Sequence, residues 1–132
     1  MSNAIYPLAK QAFLSGTINM ASGTIQVALV ANAYTYSSTD QFWSNVSSSV
    51  VGSPVTLTSV SVTNGVFNAA NATFSAVTGN QVKSAVIFNN TGTPSTSQLI
   101  AYIDSGTGLP VLPNGGDITL AWDAGTNHIF SL

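Results

Sequence analysis

The sequence predicts a mainly β fold: an antiparallel β-sandwich or barrel of about eight short strands with a short N-terminal helix. Three observations lead there. Short apolar or alternating runs recur along the chain, at 24–30, 55–62, 85–88, 99–103 and 118–122, and such lengths suit strands better than helices. Between them lie turn sequences such as Ala21-Ser22-Gly23, Thr63-Asn64-Gly65 and Thr78-Gly79-Asn80, whose Gly and Asn accept the backbone conformations that tight turns require. Residues 6–15 are the best helix candidate. The organisation that follows is an N-terminal segment over 1–15 and one β domain over 16–132.

Pro7 sits where a first-turn proline belongs, Ala9, Ala12 and Leu14 favour helix, and Gly16 can close the C-terminus. The apolar face is narrow, drawn from Ile5, Leu8, Ala12 and Ser15, so the segment either lies on its own sheet or serves as an arm that docks on a partner. Beyond it, 17–20 and 24–30 read as a hairpin around Ala21-Ser22-Gly23. A loop follows with Tyr34 and Tyr36, and Asp40 is a candidate N-cap for a helical turn through Phe42 and Trp43. These aromatics read first as a plug for one end of a sandwich. Residues 45–53, with Ser47, Ser48 and Ser49, form a polar surface loop.

The alternating run 55–62 leads into Thr63-Asn64-Gly65, the strongest hairpin signal in the chain. Short strands at 66–67 and 73–77 come next. Ala85-Val86-Ile87-Phe88 is continuously apolar, as expected of a central strand buried on both faces. Leu99-Ile100-Ala101-Tyr102-Ile103 and Ile118-Thr119-Leu120-Ala121-Trp122 flank a Gly/Pro-rich connection and are expected to be partners or near neighbours, with Tyr102 and Trp122 as packing anchors. A last strand at 129–132 completes the set.

Composition narrows the function. Charged residues make up 5% of the chain, against about 25% in a typical soluble protein. There is no Arg and no Glu, and Lys10 and Lys83 are the only lysines. Two cations cannot supply the phosphate contacts on which nucleic-acid affinity rests. The absence of cysteine excludes disulfides, thiolate metal sites and a Cys nucleophile. The apolar stretch 4–14 is interrupted by Pro7, Lys10 and Gln11 and follows no basic region, so it does not read as a signal peptide. No apolar run approaches the ~20 residues of a membrane helix.

Three of the four acidic residues, Asp104, Asp117 and Asp123, cluster late in the chain. Ile103-Asp104-Ser105-Gly106-Thr107 looks like the active-site loop of aspartic proteases, in which two carboxylates share a proton. A homodimer would have to supply the second, and Asp-Ser-Gly is equally ordinary turn chemistry at a strand end. His128 is the only histidine and has no Gly-x-Ser-x-Gly elbow to serve. Calcium would have to use Asp104, Asp117 and Asp123 without a spaced acidic loop. Pro113-Asn114-Gly115-Gly116-Asp117 precedes a strand and lacks the Lys and helix start of a phosphate cradle. The expectation is therefore no catalytic set, no metal and no cofactor.

Taken together, 6–16, the strand 25–30 with Tyr34 and Tyr36, and 99–104 with Pro113-Asn114-Gly115-Gly116-Asp117-Ile118 resemble small virion structural proteins of tailed bacteriophages, within that group the head-decoration (cement) type. The likeness spans most of the chain and is one of pattern. It implies a non-enzymatic protein made in the host cytoplasm and carried on the outer capsid surface. Its partners would be the major capsid protein and copies of itself in a homo-oligomer, with neither nucleic acid nor membrane involved. Candidate partner-binding residues are Ile5, Tyr6, Leu8 and Phe13 in the N-terminal segment and Tyr34, Tyr36, Phe42 and Trp43 in the loop, since aromatic anchors dominate many interfaces. The alternative is a tail or fibre module that stacks loop aromatics on a host glycan.

Overall fold

The computed structural model describes residues 4–103, 109, 111–122 and 129–131. Its strands are β1 (Ala4–Ile5), β2 (Ile25–Ala31), β3 (Val50–Thr56), β4 (Ser61–Thr63), β5 (Val66–Asn68), β6 (Ala72–Phe74), β7 (Val82–Asn89), β8 (Gln98–Ile103), β9 (Ile118–Leu120) and β10 (Phe130–Ser131), with one helix, α1 (Pro7–Leu14). Among the described residues all pairings are antiparallel. They form a five-stranded sheet in the order β1-β8-β7-β2-β3, a three-stranded sheet β10-β5-β4 and a two-stranded sheet β6-β9. The fold is mainly β and sandwich-like, as predicted.

The longest apolar runs occupy the middle of the large sheet. β7 lies at its centre, and Ser84 through Phe88 are all buried. One face carries Val27, Leu29, Ala85, Ile87 and Ile103 and packs against Phe67, Phe74 and Leu120 of the two smaller sheets. The other carries Ala28, Val30, Val86, Phe88, Leu99 and Tyr102. Antiparallel sheets commonly leave one face to water. Here the second face is covered by α1 and by the loop that follows β2, through Tyr6, Ala9, Tyr34 and Val46.

The helix ends follow their chemistry. Pro7 occupies the first turn, where a missing N–H costs nothing. At the other end, Thr17 N–H donates to Ala12 O and Gly16 N–H to Phe13 O, and Gly16 has φ 79°. That is a Schellman closure, in which glycine takes the left-handed position. The buried face is Tyr6, Ala9 and Ala12, one step round from the expected Leu8–Ala12–Ser15 face. Asn64 (φ 52°) and Gly65 (φ 77°) likewise form the predicted two-residue turn between β4 and β5.

Three expectations are corrected. Residues 17–20 form no strand, because the Asn19 side chain accepts hydrogen bonds from the Ala21 and Ser22 N–H groups and folds the segment into turns. The strand expected from residue 55 starts at Val50, passing through Gly52 (φ 75°) and Pro54. An edge strand tolerates both residues. β8 and β9 are not neighbours: β1 and β7 fill both edges of β8, so β9 pairs with β6. Of the two readings of the N-terminal segment, the structure has it lying on its own sheet. Ala4 and Ile5 pair with Tyr102 and Ala101, and Tyr6 N–H donates to Ile100 O at 3.0 Å.

Candidate functional site

The two groups of residues singled out by sequence, one N-terminal and one in the loop after β2, meet in a single layer. Tyr6 and Tyr34 are buried there, and their hydroxyl oxygens lie 2.7 Å apart. Tyr34 also donates to Asp40 Oδ2 at 2.7 Å. Its one proton is thereby committed, so Tyr6 is the donor in the first bond. The result is a directed chain, Tyr6 to Tyr34 to Asp40.

Rings extend the layer. Tyr6 and Tyr36 have centroids 5.1 Å apart, Tyr36 and Tyr102 5.4 Å, and Tyr34 and Tyr102 6.1 Å, all tilted. The chain has four tyrosines, and all of them converge here. They arrive from three parts of the sequence, and only the pairing of β1 and β8 and the path of the loop bring them together. Burial is the main cause that pushes the Tyr6 hydroxyl far above the ordinary tyrosine value, with the bond donated to Tyr34 next. Tyr34 is raised chiefly by burial and Tyr36 by burial and then the Asp40 charge.

The rest of the loop docks on the start of β8. Trp43 N–H donates to Ser97 O at 2.7 Å, Leu99 N–H to Gln41 O at 2.8 Å, and Phe42 bridges to Gln98. The helical turn expected there is a 3₁₀ turn over Trp43–Asn45. Asp40 does not cap it, being held by Tyr34; instead Asn45 Oδ1 accepts from the Gln41 and Phe42 N–H groups. Trp43 stacks on Phe88 at 4.1 Å and 15°, so one face of the indole is already occupied. These aromatics lie over a sheet face, which corrects the expectation of a plug at one end of the sandwich.

Burial therefore divides the candidate partner-binding residues. Tyr6 and Tyr34 serve the domain's own core, whereas Ile5, Leu8, Phe13, Tyr36, Phe42 and Trp43 are half-buried and retain some outward surface. A second apolar area has no signature in the sequence. Leu14, at the end of α1, is 91% exposed. Close by, Phe13, Ile18, Met20, Val62 and Phe67 line an open groove of about 330 Å³. A helix C-terminus and a distant hairpin build it, and local sequence patterns do not report that proximity.

Of the carboxylates considered for catalysis, Asp117 accepts a hydrogen bond from Ala76 N–H and secures a turn. The Asp104-Ser105-Gly106-Thr107 motif, Asp123 and His128 lie outside the described residues. Among the described residues no three His, Cys, Asp or Glu side chains cluster as a metal site would require, and no helix is long and apolar enough to cross a membrane. Trp122 is half-buried and donates its indole N–H to Ala70 O. No family model matches the chain, and no curated protein shows significant similarity to it.

Proposed function

We propose that the chain is a non-enzymatic virion structural protein, a head-decoration (cement) protein on the outer capsid surface of a tailed bacteriophage. The observation that carries the proposal is an apolar patch on a nearly chargeless surface. Leu14 projects at the end of a helix whose other side is fixed to the sheet, with half-buried Phe13 and the Met20–Val62 groove beside it. An uncharged surface is little repelled by neighbouring subunits. A protein that binds only the assembled shell stabilises it by mass action, in proportion to its affinity. The pattern likeness to virion proteins points the same way.

The outward side chains of α1, Leu8, Phe13 and Leu14, are then the contacts with the major capsid protein or with further copies of the chain. Co-sedimentation with undecorated capsids tests this directly. The wild-type chain is expected to pellet with capsids, and Leu14→Asp to lose about tenfold or more in affinity, as hot-spot contacts do. Wild-type protein that stays in the supernatant at all capsid concentrations would remove the proposal. Sugar stacking by the loop is the weaker reading, since Phe88 takes one face of Trp43 and Tyr36 is packed among tyrosines. A glycan-array signal without capsid binding would reverse that preference.

A further inference from the structure

The layer between the five-stranded sheet and its helix–loop cover contains two hydroxyls that the protein leaves unsatisfied. Tyr102 and Ser84 are both 0% exposed, and among the described residues neither hydroxyl has a hydrogen-bond partner. They belong to one face of the sheet. Val86 pairs with Tyr102, and Ser84 lies two residues before Val86 on the same strand, so the two are diagonal neighbours, with β-carbons about 7 Å apart. A dry, unpaired hydroxyl at such a depth would weaken folding roughly tenfold or more. Nearly all buried polar groups in native proteins avoid that cost by bonding to protein or to an ordered water.

The surroundings offer further polar partners. Tyr102 packs against Tyr34 and Tyr36, and Tyr34 belongs to the hydroxyl chain that ends on Asp40. Tyr34 donates once and accepts once in that chain, which leaves one acceptor lone pair on its oxygen. A buried water needs between two and four polar partners, and the layer supplies Tyr102, Ser84 and this remaining acceptor.

We propose that this layer holds permanently bound water that satisfies Tyr102 Oη and Ser84 Oγ. The water extends the Tyr6–Tyr34–Asp40 chain into the middle of the sheet. It also accounts for two polar residues on an otherwise apolar face.

The test pairs two conservative variants with a high-resolution crystal structure of the wild-type chain. Tyr102→Phe and Ser84→Ala each remove one anchor while keeping the apolar packing. Each is expected to lower Tm by about 2–5 °C, and the wild-type density is expected to show a solvent peak within hydrogen-bonding distance of Tyr102 Oη. A dry site predicts the opposite sign, because deleting an unsatisfied hydroxyl relieves a penalty. Tyr102→Phe melting at or above the wild-type temperature would therefore overturn the proposal, as would a Tm loss without a solvent peak.

Discussion

The two faces of the five-stranded sheet are equally buried, but different means cover them. Under one face lie two small sheets, whose Phe67, Phe74 and Leu120 meet Val27, Leu29 and Ile87 in a conventional sandwich core. Over the other lie one eight-residue helix and an irregular loop, which compensate for their lack of regular pairing with aromatic rings and a hydroxyl chain. Regular strands satisfy their backbone through the ladder, so their side chains can be purely apolar. A loop has to find partners one at a time, and the layer beneath it accordingly holds the Tyr6–Tyr34–Asp40 chain.

The comparison makes graded predictions. The largest concerns whether the cover belongs to the core. Tyr6→Ala is expected to destabilise by about 3–5 kcal/mol, the range for truncating a buried aromatic, and to match Phe74→Ala on the sandwich face. Chemical denaturation of both variants checks this. A detachable arm would instead make Tyr6→Ala nearly neutral.

The next effect is one of pH and belongs to the tyrosine face alone. Burial raises the folded-state values of Tyr6, Tyr34 and Tyr36 above the ordinary 10.0. Their contribution is thus fully present below pH 10 and is lost as pH rises through the folded values, because the unfolded chain ionises first. Stability measured by urea titration should fall on the alkaline side above pH ~10, and Tyr6→Phe should flatten that fall. These groups contribute no corresponding loss on the acid side.

A smaller effect isolates the hydroxyl chain. Tyr34→Phe keeps the ring but strands both Asp40 and Tyr6, at an expected cost of about 1–2 kcal/mol. Combined with Asp40→Asn it should cost less than the sum of the two, since both act on one bond. Smallest of all is Leu14→Ser. With its side chain almost wholly in solvent, it should shift stability by no more than about 0.5 kcal/mol while weakening the proposed shell binding.

What could be read from the sequence follows the same division. Features set by a few adjacent residues were legible: the Asn64-Gly65 turn through its positive φ angles, the helix through Pro7 and Gly16, and the central β7 through its unbroken apolar run. Features set by distant competition were not. Nothing near β9 shows that both edges of β8 are taken by β1 and β7. The helix phase differs from the expected one because Tyr6, just before Pro7, outweighs Leu8 as an anchor once a sheet is available to bury it. Asn19 lies in a run that alternates like a strand, although its side chain replaces ladder bonds with local ones. Among the candidate contacts, the aromatic residues were identifiable by type, but their division into buried and outward-facing required the fold.

Native-state hydrogen exchange at the Tyr6 amide tests most directly whether the N-terminal segment is a structural layer. This N–H donates to Ile100 O at 3.0 Å, and that bond joins the segment to the sheet. An integral cover predicts that Tyr6 exchanges only through global unfolding, with the same opening free energy as the amides of Val86 and Ile87 in β7. Exchange at Tyr6 orders of magnitude faster than at β7, with the sheet still protected, would contradict the account and return the segment to the status of a detachable arm.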